Sequence, residues 1–327
     1  MWTGSPRSRP QARLGSLERG LSVHVSGRLR YTFWEEFTDL HSFDFERPSS
    51  VDEAIALFKQ HGDNARALAG GTDLIVQMRV GRRTPGVVID LKSVPELNQI
   101  SWDPATGLTL GASVPCHEIY AHADVRQNYP ALIDAAELIG GTPIQGRASV
   151  GGNLCNAAPS GDAIPALIAL GAICRIAGPD GVRELPVEDF CTAPGQNAMA
   201  DKEFLVSLSL AAPAPNSGAR YIRFIPRNEM DIAVAGAGVS VVLENGNFKS
   251  ARVALASVAP TPLYVEAAGA ALAGQPVNDE SIQAAADAAK AAAKPISDMR
   301  GTAEYRKHLC EVLTRRALND AVARARG

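Results

Sequence analysis

Residues 50–91 alternate between helix and strand patterns, which limits this stretch to an α/β arrangement. The segment Ser50–Glu53 has capping-box spacing and predicts a helix start, because the serine can accept from the Glu53 amide while Glu53 reaches back. Residues 66–69 predict a short strand, and the apolar run 87–91 predicts a buried parallel strand. The glycine pair Gly70-Gly71 therefore follows a strand at its carboxyl end, where ligands tend to collect in α/β sheets.

Two glycine pairs, each followed by a small polar residue, carry the strongest functional signal. The first segment is Ala69-Gly70-Gly71-Thr72-Asp73-Leu74, and the second is Ser149-Val150-Gly151-Gly152-Asn153. Each is predicted to follow a strand. Paired glycines leave backbone N–H groups accessible, so a phosphate approaches them without meeting a Cβ. A tight turn would explain either segment alone, whereas both together predict a grip on the two phosphates of a dinucleotide.

Composition excludes several classes of protein. The 327 residues carry a formal net charge of −3 and no long basic run, which argues against nucleic-acid binding. No apolar run approaches the roughly 18–20 residues that cross a bilayer, so no membrane span is predicted. The hydrophobic share of 46% and charged share of 20% are typical of a globular protein with ample core.

The cysteines and histidines predict neither a metal site nor a catalytic residue. The five cysteines are scattered and form no C-x-x-C pair, which fits buried thiols, a reducing compartment and hence a cytoplasmic location. They are Cys116, Cys155, Cys174, Cys191 and Cys310. The six histidines form no metal-binding pattern, and no nucleophile–base pair is evident. A bound cofactor would then carry the chemistry, and a flavin fits because it needs diphosphate contacts but no side-chain nucleophile.

The second part of the chain has a different pattern of predicted secondary structure. Residues 219–224, 236–243 and 251–258 predict antiparallel strands, and Asn245-Gly246 is a strong hairpin signal. The proline-rich segment 211–218 predicts a linker. Residues 1–30 hold six arginines and one acid. For residues 1–41 a disordered tail or a start assigned too early is favoured over a transit peptide.

The sequence resembles the FAD-binding medium subunit of the molybdenum hydroxylases, the family of xanthine dehydrogenase and aerobic carbon monoxide dehydrogenase. The resemblance covers about residues 43–324. It rests on the two glycine segments and on three further stretches, 43–48, 94–97 and 305–309. The second glycine segment, followed by Ala158-Pro159-Ser160-Gly161-Asp162, is highly specific to this family.

The resemblance implies an α+β fold. A two-subdomain FAD-binding domain of the vanillyl-alcohol-oxidase type would span residues 42–214, and a C-terminal α+β domain with an antiparallel sheet would span residues 218–327. Residues 1–41 would form an N-terminal extension. FAD would lie between the two subdomains.

The resemblance also implies site residues. Residues 69–74 and 149–153 would wrap the FAD diphosphate, Asp162 would contact the cofactor, and Leu205 would lie at the flavin ring. Arg223 stands where relatives often have lysine. A helix cap remains the alternative for Asp162, an ordinary core leucine for Leu205, and a salt-bridged structural arginine for Arg223.

The implied function is electron transfer. A molybdopterin-binding large subunit would oxidise the substrate, and electrons would pass through the 2Fe–2S clusters of a small subunit to FAD. They would leave for NAD⁺, oxygen, a quinone or another carrier, and two such heterotrimers would pair. A stand-alone flavin oxidase and a flavin-less assembly subunit are the alternatives.

Overall fold

The computed structural model of this protein describes residues 40–327. All but the last two residues of the predicted N-terminal extension therefore lie outside the described residues. The described part contains three larger sheets and their helices. No helix in this part combines the length and apolar composition that a bilayer span requires.

The first sheet is parallel and has the order β1-β3-β2. Its elements are β1 (Asp44–Glu46), α1 (Val51–His61), β2 (Ala65–Leu68), α2 (Leu74–Arg79) and β3 (Val87–Asp90). The predicted α/β stretch is confirmed, and Ser50 caps α1 by accepting from the Glu53 amide. The Glu53 carboxylate, however, accepts from the amide and hydroxyl of Ser49.

The second sheet is antiparallel and has the order β4-β5-β10-β6-β7. Its elements and the intervening ones are β4 (Ile100–Asp103), β5 (Gly107–Gly111), α3 (Cys116–Ala121), α4 (Ala123–Asn128), α5 (Pro130–Ala136), α6 (Thr142–Gln145), α7 (Val150–Cys155), α8 (Ala163–Ala169), β6 (Ile173–Gly178), β7 (Gly181–Pro186), β8 (Cys191–Ala193), β9 (Gln196–Asn197) and β10 (Phe204–Leu210). Helix α8 is buried along its whole length.

The second glycine segment does not follow a strand, so that prediction was wrong. Ser149 is the N-cap of α7, and its hydroxyl accepts from the Gly152 amide at 2.9 Å. The two glycines therefore lie in the first turn of a helix. The short helix α6 and the residues after it precede them.

The third sheet is antiparallel and has the order β11-β12-β13-β14. The C-terminal elements are β11 (Ser217–Phe224), β12 (Ala235–Glu244), β13 (Asn247–Ala256), β14 (Leu263–Tyr264), α9 (Glu266–Leu272), α10 (Asp279–Ala292) and α11 (Ala303–Arg326). The predicted hairpin at Asn245-Gly246 is confirmed, since both residues have the positive φ that a type I′ turn needs. Together the three sheets and their helices give the expected α+β fold.

Helix α8 packs against the third sheet at β12. A Cβ on Gly238 of β12 would lie 2.6 Å from the carbonyl carbon of Pro165 in α8, so this approach requires a glycine. The first part of the chain is thereby held closely against the C-terminal sheet.

Candidate functional site

A cavity of about 470 Å³ lies where the first glycine segment meets helix α7 and the start of β10. Eleven of the predicted site residues line it: Ala69, Gly70, Gly71, Thr72, Asp73, Leu74, Ser149, Gly151, Gly152, Asn153 and Leu205. Val150, Asp162 and Arg223 do not line it. The structure therefore brings the two glycine segments, about 80 residues apart in sequence, to one shared cavity.

One glycine of each pair is required by packing. A Cβ on Gly70 would lie 2.6 Å from the carbonyl carbon of Arg147, just before the second segment. A Cβ on Gly151 would lie 2.6 Å from the Cα of Ala112, which follows β5. These glycines let the two segments and the second sheet approach one another.

The other glycine of each pair borders the cavity, and a Cβ there would meet side-chain atoms and no backbone of another segment. Gly71 has a φ of +79°, which a side chain rarely adopts. A Cβ on Gly152 would meet only the Ser149 hydroxyl, at 3.0 Å. Because Gly152 lines the cavity, any side chain there would take up cavity space.

Backbone amides without partners surround the cavity. The amides of residues 70–74 donate to no acceptor in the described part of the chain. The same holds, within residues 40–327, for the amides of Val150 and Gly151 in the first turn of α7. Unpaired amides of this kind bind anions, and a helix start adds a favourable dipole. The cavity wall therefore fits a diphosphate.

Asn153 supplies a side-chain donor to the same wall. Its Oδ1 accepts from the amide of Ala163, the first residue of α8, at 3.1 Å. The remaining Nδ2 group finds no acceptor among the described residues. Fixing the amide oxygen in this way orients the NH₂ group as a donor for a bound anion.

Sequence reasoning missed several residues of the cavity. Gln77 of α2 and Asn156 just after α7 both line it, and Gln77 Nε2 donates to Asn156 Oδ1 at 3.3 Å. An apolar part is formed by Phe58, Leu91, Leu97, Phe204 and Leu205. Among these residues only Asn156 had a sequence signal. It lies three residues after Asn153, and this helical spacing places both side chains on one face.

A salt bridge holds the segment that closes this apolar part. Nε and Nη2 of Arg183 donate to the Glu203 carboxylate at 2.8 and 2.7 Å, and Nη2 also donates to the Ala198 carbonyl. The Ala200 amide donates to Glu203 at 2.6 Å. The hydrogen bonds from Arg183 hold the pKa of Glu203 below its usual range. Leu205 lies two residues after Glu203 and is buried.

Asp162 and Arg223 contact each other. Nη1 of Arg223 donates to Asp162 at 2.5 Å, and the Tyr221 hydroxyl donates to the other carboxylate oxygen at 2.8 Å. Asp162 is the N-cap of α8, but its side chain accepts no helix amide. Burial raises the pKa of Asp162 to about 6, although Arg223 and Tyr221 favour its ionised form.

The cysteines divide into two groups. Cys116, Cys174 and Cys310 are buried as expected, and burial raises the pKa of each thiol. Cys155 and Cys191 are only half-buried, and Cys155 lines the cavity. Residues 40–327 contain no group of three or more His, Cys, Asp or Glu side chains arranged for a metal ion.

The fold is of the α+β class, and it encloses a cavity whose wall fits a dinucleotide. Two family models match: the FAD binding domain in molybdopterin dehydrogenase over residues 41–213, and the CO dehydrogenase flavoprotein C-terminal domain over residues 220–321. The chain belongs to the family of FAD-binding medium subunits of molybdenum hydroxylases. It is accordingly an oxidoreductase flavoprotein subunit with FAD as its cofactor.

Individual relatives match over almost their whole length. The carbon monoxide dehydrogenase medium chain of Hydrogenophaga pseudoflava is 34% identical over 86% of this chain and 98% of its own. A putative xanthine dehydrogenase FAD-binding subunit of Escherichia coli K12 is 30% identical over 87% and 99%.

Solved structures of related enzymes match the fold of this chain. Carbon monoxide dehydrogenase from Hydrogenophaga pseudoflava matches with a TM-score of 0.83 at 34% identity, covering 86% of this chain and 98% of that one. Quinoline 2-oxidoreductase from Pseudomonas putida 86 matches with a TM-score of 0.81 at 25% identity, covering 88% and 99%.

Proposed function

We propose that this chain is the electron-transfer subunit of a heteromeric molybdenum hydroxylase. It would receive electrons from the 2Fe–2S clusters of a small partner subunit and pass them through FAD to a terminal acceptor. A molybdopterin-binding large subunit would oxidise the substrate. The carrying observation is the shared cavity, which is lined by residues of both glycine segments whose amides have no partner within residues 40–327.

The protein's own residues have binding and orienting roles in this proposal. The amides of residues 70–74 and Gly151 would hold the diphosphate, and Nδ2 of Asn153 would add a donor. Leu205 and its apolar neighbours would exclude water from the flavin ring. FAD itself supplies the chemistry, since it accepts electrons one at a time and releases one or two.

Asp162 and Arg223 would act from behind the cavity wall. Asp162 directly precedes Ala163, whose amide fixes Asn153, and Arg223 pairs with Asp162. The proposed role of Asp162 and Arg223 is therefore to hold the start of α8 in place. The contact of Asp162 with the cofactor, which the resemblance implies, would be a second role. The planar guanidinium of Arg223 pairs with Asp162 while its Nε finds no acceptor among the described residues.

The partner subunits and location are further parts of the proposal. Matched relatives are named as the medium chain or a subunit of their dehydrogenases, which supports a heteromeric assembly. The five free cysteines support a reducing, cytoplasmic location. Pairing of two heterotrimers follows from the resemblance, and the mass of the purified complex tests it.

Co-expression with the subunits encoded beside this chain tests the function. A purified three-part complex that contains flavin, iron and molybdenum would support the proposal. A yellow monomer with its own turnover would instead support a flavin oxidase, and a colourless complex would support an assembly role. Failure of the purified chain to bind added FAD would count against the proposed cavity.

A further inference from the structure

An apolar and basic surface covers the outer side of helix α2 and the turn after it. It consists of Val76, Arg79, Val80, Arg82 and Arg83, and we call it the α2 patch. Val76 and Val80 are 57% and 56% exposed, and all three arginines are exposed. Two aliphatic side chains, one turn apart, are thus exposed beside three exposed arginines at the end of α2.

The geometry of α2 fixes the patch. Residues 76 and 80 share a helix face, while Met78 lies on the opposite side and packs with Leu68 and Val88. The exposed valines are therefore not displaced core residues, because the inward face of α2 is already filled. An exposed cluster of this kind, rimmed by charge, is typical of a protein contact surface.

The arginines are held in place by the end of the helix. Gly81 has a φ of +68°, and its amide donates to the Met78 carbonyl at 3.1 Å. The amides of Arg82 and Arg83 both donate to the Gln77 carbonyl, at 2.9 and 3.3 Å. This closed turn fixes the backbone of both arginines beside the last turn of the helix.

The positive charge of the patch is local and uncompensated. The chain as a whole has a net charge of −3, yet residues 74–86 include three arginines and no acid. Among the ion pairs of residues 40–327, none involves Arg79, Arg82 or Arg83. A single cation near the end of α2 would suffice to complement the helix dipole. The dipole therefore does not account for all three arginines, and their charge favours an acidic surface on a partner.

The patch adjoins the cofactor cavity. Gln77 of the same helix and Arg83 of the patch both line that cavity. Electron transfer between bound centres slows steeply with distance, so a protein that delivers electrons has to dock next to the cavity. This step rests on the proposed function.

We propose that the α2 patch is the docking surface for the iron–sulfur partner subunit. The partner surface would be acidic around an apolar centre that covers Val76 and Val80. The two valines would supply the desolvated centre of the contact, and the arginines would supply the charged rim that steers association.

The test uses the complex with its partner subunits and a charge-reversed chain, R79E/R82E. Arg83 is left unchanged because it lines the cavity. We expect the dissociation constant for the iron–sulfur subunit to rise by about tenfold or more at low salt, with FAD content unchanged. The difference should shrink at high salt, because screening weakens charge pairs. V76S/V80S should weaken association at both salt concentrations.

The matched control is R315E/R316E, which makes the same charge change on the exposed side of α11. It should assemble like the wild type. If R79E/R82E also assembles and transfers electrons like the wild type, the docking inference is wrong while the proposed function stands. If the wild-type complex contains no iron or no FAD, the proposed function fails instead. Arginine-dependent binding to anionic vesicles or nucleic acid, with assembly unaffected, would also overturn the docking inference.

Discussion

The two members of each glycine pair meet different surroundings, which separates folding from cofactor binding. In the second pair, Gly151 presses against Ala112, whereas Gly152 borders the cavity. A methyl group added at the first position must displace α7 from the second sheet. The same group at the second position touches only the Ser149 hydroxyl, at 3.0 Å, and what occupies the cavity.

We therefore expect opposite effects from two adjacent substitutions. Gly151→Ala should lower the free energy of unfolding by about 1–3 kcal/mol through overpacking, measured by urea denaturation. Gly152→Ala should leave that free energy nearly unchanged, because the helix preference of alanine offsets its close approach to the Ser149 hydroxyl. It should weaken FAD binding by about tenfold, measured by quenching of flavin fluorescence. Equal loss of stability in both variants would contradict the assignment.

Glu203 gives the cavity wall a pH dependence. Its pKa is lowered in the folded protein. The folded protein therefore keeps this carboxylate ionised at pH values where Glu203 of the unfolded chain is already protonated. The stability that it contributes is complete above the ordinary value of 4.5 and is lost as the pH falls through the lowered folded pKa. The advantage of the wild type over Glu203→Gln should shrink over that acidic range.

Urea unfolding at a series of pH values measures this advantage. Glu184→Gln on the neighbouring strand β7 is the control, since Glu184 is exposed and forms no ion pair within residues 40–327. It should show no comparable dependence. An advantage of the wild type over Glu203→Gln that stays constant with pH would show that the bond with Arg183 is not what stabilises this segment.

Strand β11 and helix α8 are joined through one buried carboxylate. Tyr221 and Arg223 lie two residues apart on β11, so their side chains share a face of the sheet and both reach Asp162. The amide that follows Asp162 fixes Asn153 at the cavity. A contact with the C-terminal sheet thus stabilises the cavity wall.

Tyr221→Phe removes the hydroxyl donor and keeps the ring. We expect a loss of about 1–3 kcal/mol in unfolding free energy, because a buried carboxylate loses one of its two side-chain donors. The pKa of Asp162 should rise above about 6, since that hydrogen bond favours the ionised form. Thermal and urea unfolding measure the stability loss. Tyr305→Phe, at a half-exposed tyrosine, should be neutral.

Local sequence signals predicted some elements well and others poorly. The start of helix α1, strand β3 and the hairpin at Asn245-Gly246 were predicted to within a residue or two, because caps, apolar runs and turn residues act locally. The start of α7 was missed because two glycines suggest a turn. There the capping hydroxyl of Ser149 and packing against Ala112 stabilise a helix that glycine alone disfavours.

The candidate site shows the same limit. Each glycine segment was recognisable from its own residues, and the cavity brings the two together. The pairing of Asp162 with Tyr221 and Arg223 joins residues 59 and 61 positions apart, and no short pattern encodes it. The apolar part of the cavity also comes from distant elements, so it follows from tertiary packing.

Asp134 ties the first part of the chain to the C-terminal part. This residue of α5 accepts from Arg220 of β11 at 2.7 Å, from the Tyr221 amide at 3.1 Å, and from both terminal nitrogens of Arg324 in α11. Its side chain is only 13% exposed. Removing Asp134 takes this carboxylate away from two partly buried arginines, Arg220 and Arg324. Arg220 keeps its ion pair with Asp320, and Arg324 keeps its hydrogen bond to the Ala219 carbonyl.

Asp134→Ala should therefore cost about 1–3 kcal/mol of unfolding free energy, less than the loss of a fully buried pair. Because the lost contacts bridge the two parts of the chain, a broad-specificity protease should cleave the exposed linker 211–216 faster. Glu244→Ala, which breaks an exposed pair with Lys249, is the control and should change neither quantity. Unchanged cleavage of the linker in Asp134→Ala would mean that the packing of α8 against the third sheet holds the two parts together without this network.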